Sequence, residues 1–336
     1  MEKILSIIIP TYNMEKYLRK CLDSLIVCDE NMKLLEVLVV NDGSKDSSSQ
    51  IAHKYESRFP NTFRVIDKEN GNYGSCVNRG LKEATGKYVK VLDADDFFDT
   101  DSFNKTIVFL SENDYDLVLT DYNKVTADGK VEKMFELKIP HNTPLTIKDL
   151  LGFSAARMHM HRIFYKTNKL RAINYHQTEG MSYTDQEWMG EPMTTVDTVY
   201  YLDVCLYQYL VGRDGQTVDP NTLIKSIRQY MHAIYVLLNL YNNYQGDDVH
   251  RKYLWHRIYG QSTYMYSILL YGTKNADLTP LFEFDARLKQ LNEVIYNELA
   301  EAKVFHIYKY IKHWRVKQYR RSSNLLATLV SIRSKI

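Results

Sequence analysis

The sequence predicts an α/β protein built on a mostly parallel sheet and followed by a helical region. Three observations carry that expectation. The first 125 residues alternate β-branched runs with amphipathic runs, and polar residues gather where four successive apolar runs end. From Pro220 onward, apolar and tyrosine residues recur at spacings of three and four, the period of a helix packed on one face.

Each element follows in order. Residues 5–9 are β-branched and read as a strand covered on both faces. Asn13 is suited to cap a helix that carries Leu18, Leu22 and Leu25 on one side. A second buried strand at 37–40 runs into the turn Asn41-Asp42-Gly43-Ser44, and a helix over 47–58 stops before Pro60. A third strand at 63–66 leads to a polar glycine loop at 69–74, and the next helix runs to Thr85 with Gly86 as its C-cap. A fourth strand at 88–92 ends in Asp93-Ala94-Asp95-Asp96. This order implies right-handed crossovers, and ligands of such sheets bind beyond the carboxyl ends of the strands. Thr11 and Tyr12, Asp42, residues 70–72 and residues 93–96 occupy those four ends and converge on one rim. From residue 122 to 210 the alternation is lost. A boundary at Asp214-Gly215 gives two domains, 1–215 and 216–336, the first divided at 125 into a donor-binding part and an acceptor part, 126–215.

Composition narrows the classes. With 43 basic and 41 acidic residues in 336, no net charge draws the chain to nucleic acid. Cys21, Cys28, Cys76 and Cys205 form no CxxC pair, so they read as small buried hydrophobes in a reducing compartment. The apolar run at the N-terminus is stopped by Pro10, and no stretch reaches the roughly 18 apolar residues of a membrane helix, which predicts a cytoplasmic protein. No GxGxxG follows the first strand and no P-loop is present, which excludes dinucleotide oxidoreductases and P-loop enzymes.

Asp93, Asp95 and Asp96 place three carboxylates within four residues at a buried strand end, where they repel unless a cation joins them. Mg²⁺ and Mn²⁺ are hard cations that take carboxylate and phosphate oxygens. A solvated turn with an aspartate capping the next helix is the plainer alternative. Asp42 is equally suited to turn chemistry or to accepting a ligand N–H.

The segments 7–13, 39–44, 78–81, 84–88 and 92–96 (IIIPTYN, VVNDGS, NRGL, ATGKY and LDADD) resemble, in order and spacing, the nucleotide-binding half of family 2 glycosyltransferases. The resemblance is strong over residues 3–125 and weaker to about 218. It implies the GT-A fold and inverting transfer from a nucleotide sugar, a UDP-sugar foremost, to a glycan or lipid-linked glycan, with polysaccharide biosynthesis as the setting. Thr11 and Asp42 match positions that hold uridine, Asp42 facing the uracil N–H, with Pro10, Tyr12, Asn70 and Asn78 on the same nucleotide side. Asp93 matches a position near the ribose, and Asp95 matches the main ligand of Mn²⁺ or Mg²⁺ on the diphosphate. Asp96 falls behind it or caps the following helix. Many members carry an arginine where this chain has Val77, so Arg213 is the candidate to replace it on the diphosphate. The general base matches Asp185 in Tyr183-Thr184-Asp185-Gln186-Glu187-Trp188, with Glu187 and Glu179 as alternatives. The plainer reading there is a capping box from Thr184 to Glu187.

Three further features are left open. Trp188 and Tyr183 suit either a sugar ring or packing. His159 and His161 lie on one face if their segment is a strand, with no third metal ligand evident in sequence. After Glu301 the chain has no acidic residue and interleaves basic residues with aromatics as far as Tyr319, which reads as a membrane-surface element that would set the protein at the inner membrane face, with a helix packed on its own domain or a nucleic-acid contact as the alternatives. A nucleotide-binding module that has lost catalysis is the competing functional class, favoured by Val77 and Thr184.

Overall fold

The computed structural model describes residues 2–126, 129–133, 137–212, 216, 220–272, 277–303 and 308–319. In chain order the strands are β1 (Leu5–Thr11), β2 (Leu35–Asn41), β3 (Phe63–Asp67), β4 (Tyr88–Val91), β5 (Phe97–Phe98), β6 (Leu117–Thr126), β7 (Val131–Lys133), β8 (Pro144–Thr146), β9 (Ile163–Lys166) and β10 (Thr198–Val211). The helices up to residue 200 are α1 (Leu18–Asp23), α2 (Asp29–Leu34), α3 (Ser48–Arg58), α4 (Asn72–Glu83), α5 (Thr100–Glu112), α6 (Phe153–Ala156), α7 (Thr167–Ala172) and α8 (Asp185–Trp188). Then follow α9 (Pro220–Lys225), α10 (Ile227–Asn243), α11 (Asp248–Ser267), α12 (Thr279–Leu291), α13 (Glu293–Ala300) and α14 (Tyr310–Val316). The chain divides into two compact units, Met1–Leu150 with Met158–Asp214, and Leu151–Arg157 with Gly215–Ile336.

The first unit is organised by one sheet of order β3-β2-β1-β4-β9-β6-β10-β5, with β7 on β6 and β8 on β10. The first four strands of that order are parallel, Ile7 pairing with Val37 on one side and Lys90 on the other. Leu5, Ile7, Ile8, Ile9, Val37 and Val39 are wholly buried, as strands covered on both faces require. The region where alternation is lost in sequence holds the two longest strands. β6 and β10 pair in parallel, and β10 shifts register at Cys205, a bulge that re-aims the side chains after it.

Local chemistry departs from expectation at three places. Asn13 does not cap α1, which starts after Tyr17 with no side-chain cap. It sits at φ 55°, and its Oδ1 accepts from the Lys45 N–H at 2.8 Å, a bond that a short amide in the left-handed region makes easily. Gly86 is not a C-cap either, since α4 ends at Glu83 and Ala84. A Cβ at Gly86 would lie 2.6 Å from the Ser6 amide nitrogen, so glycine is required by the close approach of β1. Asp96 does not cap α5. Asp99 does, accepting from the Ser102 N–H at 2.9 Å.

The second unit is helical. Leu237, Leu238, Tyr253, Leu254, Ile258, Leu281, Phe284 and Leu288 are buried within it. The apolar run 281–299 is two helices, broken at Asn292, whose side chain caps α13 by accepting from the Ile295 N–H. The short segment Leu151–Arg157 belongs here: fully buried Arg257 donates to the Ala155 carbonyl at 3.1 Å, and Gly260 lies against Ala156. Of the basic aromatic stretch from 303 to 336, residues 304–307 and 320–336 lie outside the described residues. In α14, Tyr310, Ile311 and Trp314 are buried, and Arg315 binds the buried Asp285 at 2.6 Å. Those aromatics are therefore core of the helical unit. Among the described residues no helix is long and apolar enough to cross a membrane.

Lys90, in the middle of β4, is wholly buried. Its Nζ donates to the carbonyls of His161 at 2.7 Å and Ile163 at 3.3 Å and lies 4.4 Å from the Phe164 ring centroid. Burial pushes its pKa well below the usual 10.5, against a smaller opposing pull from Asp93. Below that ordinary value the unfolded chain binds more protons here than the folded one, so the lysine's contribution to stability rises with pH through the window. We expect wild-type stability relative to Lys90→Met, read from urea midpoints, to rise by up to about 1.4 kcal/mol per pH unit until about pH 10.5. A difference that stays flat with pH would show a lysine charged in the folded state.

Candidate active site

The rim at the strand ends assembles around Asp42. Its amide donates to the Thr11 carbonyl at 2.8 Å, which joins the ends of β1 and β2. Its buried carboxylate accepts from Lys68 Nζ at 2.6 Å and the Gly71 N–H at 2.9 Å on Oδ1, and from the Asn72 N–H at 2.9 Å on Oδ2. The two amides are the first orphan donors of α4, so a carboxylate is favoured here twice, by hydrogen bonds and by the helix dipole. The Cys76 thiol is a further side-chain hydrogen-bond partner of Asp42, so the protein itself supplies about as many donors as a carboxylate can accept. Asn70 Nδ2 donates to the Asp42 carbonyl, and Thr11 is buried with its hydroxyl on the Ile9 carbonyl. Pro10 is half-buried and Tyr12 is 45% exposed. Thr11, Asp42 and Asn70 are thus brought together. Lys68, one residue past β3, was not singled out from sequence.

The second cluster lies at the end of β4. Asp96 is 1% exposed, accepting from the Tyr207 hydroxyl at 2.6 Å and the Leu210 N–H at 2.7 Å. Burial first, then the charges of Asp95 and Asp93, push its carboxyl well above the ordinary range despite those bonds. Asp93 accepts from the Tyr73 hydroxyl at 2.8 Å, and its amide donates to the Tyr207 hydroxyl at 3.2 Å. His161 supplies the third group that the sequence did not reveal: ligand atoms of Asp93, Asp96 and His161 lie within 4.8 Å of one another. It sits in a tight turn (Met160–Arg162) rather than a strand, its ring 4.5 Å from that of Tyr209, and burial keeps it neutral by pushing its pKa well below 6.5. Carboxylate oxygens and a neutral imidazole around a pair of repelling charges fit a hard divalent cation.

Asp185 opens α8. The Tyr73 phenol, which binds Asp93, is pushed up by loss of solvent, then by Asp93, and to a smaller extent by the charge of Asp185. The capping box is not formed. Thr184 makes no side-chain cap, and buried Glu187 accepts from the Thr178 N–H at 2.8 Å instead. Trp188 is 1% exposed and wedged edge-on between Tyr165 and Tyr175, which makes it a packing residue. Tyr183 stands at φ 66°, a left-handed backbone that an aromatic residue adopts only under constraint. The Asn78 amide is taken up by the Gln177 backbone and Glu179. Val77 is wholly buried, so its position offers no route to a phosphate. Arg213 lies outside the described residues.

With the rim and sheet in place, comparison with known proteins gives the class. The model of the family described as glycosyl transferase family 2 matches residues 6–174, half of the chain, and the chain belongs to that family. It is a glycosyltransferase of GT-A fold. Among curated proteins, the uncharacterized glycosyltransferase MG025 of Mycoplasma genitalium is 29% identical over 229 residues, 64% of this chain and 70% of the relative. Poly(ribitol-phosphate) beta-N-acetylglucosaminyltransferase TarS of Staphylococcus aureus is 28% identical over 212 residues, 63% of this chain and 36% of the relative. The crystal structure of S. aureus TarS 1–349 in complex with UDP-GlcNAc shares the fold at TM-score 0.70 and 19% identity, over 99% of this chain and 91% of that one. The mannosyltransferase PcManGT of Pyrobaculum calidifontis, in complex with GDP-Man and Mn²⁺, does so at TM-score 0.54 and 14% identity, over 100% and 88%.

The Tyr207 hydroxyl serves Asp93 and Asp96 together, so Tyr207→Phe leaves a buried carboxylate oxygen and a backbone N–H each short of a partner. We expect it to lower unfolding free energy by about 1–3 kcal/mol in urea titrations. A loss within error would mean that the hydroxyl does not hold the turn.

Proposed function

We propose that this glycosyltransferase moves a sugar from a UDP-sugar to a hydroxyl of a glycan or lipid-linked glycan, with inversion at the anomeric carbon. The observation that carries the reading is Tyr73, whose hydroxyl binds Asp93 of the donor rim while the charge of Asp185 acts on the same phenol. The donor rim and the carboxylate that opens α8 are therefore within electrostatic reach of one residue. The names of the S. aureus relative and of its UDP-GlcNAc complex support a UDP-N-acetylhexosamine donor and a polymeric acceptor.

The geometry supports the following roles. Asp42 faces the uracil N–H, with Pro10, Thr11, Tyr12 and Asn70 around the nucleoside. Asp93 lies beside the ribose. Asp95, close enough to act on Asp96, would hold Mn²⁺ or Mg²⁺ together with the Asp93, Asp96 and His161 group. That ion, when bound, neutralises charge that develops on the departing diphosphate. Asp185 removes the proton of the acceptor hydroxyl as its oxygen attacks the anomeric carbon on the face opposite the diphosphate. An anionic membrane surface would be met by basic residues of 303–336, Arg320, Arg321, Arg333 and Lys335 among them, and not by Tyr310 and Trp314 of α14, which are packed inside.

The test is a thermal-shift screen of nucleotide sugars with and without Mn²⁺, because a ligand that binds the native state raises its stability by mass action. We expect a metal-dependent shift with a UDP-sugar that is lost in Asp95→Ala. Asp185→Asn should keep the shift and lose turnover by about 10²–10⁴-fold. No shift with any nucleotide sugar in a folded sample would refute the donor site. A shift without turnover in the wild type, across an acceptor panel, would favour the silent nucleotide-binding module.

A further inference from the structure

The α4 helix presents a narrow face of Gly71, Gly74 and Asn78, residues three and four apart, and the segment 176–180 lies directly on it. The Gly180 N–H donates to the Gly71 carbonyl at 3.0 Å. At Gly74 a Cβ would fall 2.1 Å from the Thr178 carbonyl oxygen, so only glycine admits the segment this close. Asn78 engages it like a strand partner: Oδ1 accepts from the Gln177 N–H at 2.8 Å, and Nδ2 donates to the Gln177 carbonyl at 2.9 Å. Nδ2 also meets Glu179 Oε1 at 2.9 Å.

The far side of the segment is tied to α8. The Thr178 N–H donates to Glu187, which shares a single four-residue turn with Asp185. Between these ties the backbone passes through two left-handed residues, Gly180 at φ 77° and Tyr183 at φ 66°. Such a path persists only where its surroundings over-determine it. α4 is itself fixed to the donor rim, by Asp42 on the Gly71 and Asn72 amides and by the Tyr73 hydroxyl on Asp93.

We propose that Asn78 is a positioning residue rather than a nucleotide contact: with Gly74, it clamps residues 176–180 to the donor-side helix and so sets the place of Asp185 against the bound donor. The inference rests on Asp185 being the base. It makes the base and the donor rim one mechanical piece, although the two are far apart in sequence.

The experiment uses the full chain and the variants Asn78→Ala, Gly74→Ala and Asp185→Asn. UDP with Mn²⁺ serves as the binding probe in calorimetry, and release of UDP from UDP-GlcNAc as the rate probe. Hydrogen exchange is followed over 176–188 and, separately, over α4. The clamp predicts that Asn78→Ala and Gly74→Ala raise exchange in 176–188 and leave α4 protected. The UDP Kd should stay within about twofold, and turnover should fall on the order of tenfold to a hundredfold, the scale of a misplaced reacting group. A UDP Kd that weakens in step with the rate would make Asn78 a nucleotide contact and overturn the proposal. Unchanged exchange in 176–188 would overturn it as well, whatever the rate. Asp185→Asn at full turnover would remove the base reading alone, and the exchange data would still decide whether the clamp exists.

Discussion

The first unit is shaped by the requirement that carboxylates be tolerated at the ends of buried strands. Asp42 and Asp96 are both almost wholly buried, where an uncompensated charge costs several kcal/mol. The two are met differently. Asp42 gathers two helix N–H groups and a lysine, a stable arrangement that also orients α4. Among the described residues Asp96 receives a phenol and one amide, and burial, then two like charges close by, raises its pKa. One site is satisfied by the protein and the other is left eager for positive charge.

The donor side was legible because parallel strands announce themselves. β-branched runs ended by Thr11, Asp42 and Asp93 sit at fixed places beyond a sheet, and no tertiary knowledge is needed to put them on one rim. The residues that complete the site were not legible, for a physical reason. Tyr207 reaches Asp96 only because β10 pairs with β6 and bulges at Cys205, and His161 arrives on a tight turn that its sequence disguises as a strand. Tyr73 falls in the polar glycine loop expected at 69–74, whereas α4 already starts at Asn72 and carries it. Each acts through a long-range contact, which periodicity does not report.

The local misreadings share a cause. Asn13 and Gly86 have the chemistry of caps, and Thr184 with Glu187 has the spacing of a capping box. Asn13 and Gly86 are used instead for contacts with segments remote in sequence, to Lys45 and Ser6, and Glu187 for one to Thr178, nine residues away. Local propensity states what a residue can do, and packing chooses among its options. The basic aromatic stretch near the end obeys the same rule, because its tyrosine and tryptophan positions in α14 had a core to enter.

The short segment Leu151–Arg157 has a consequence for how the chain can be divided. It interrupts the first unit yet supplies the Ala155 carbonyl that accepts from buried Arg257 and the Ala156 surface against Gly260. No single cut separates the two units. A fragment ended near residue 215 would carry an orphaned helical turn, and the remaining piece would hold a guanidinium in its interior without that acceptor. A swap of the helical unit between relatives therefore has to exchange two stretches of the gene.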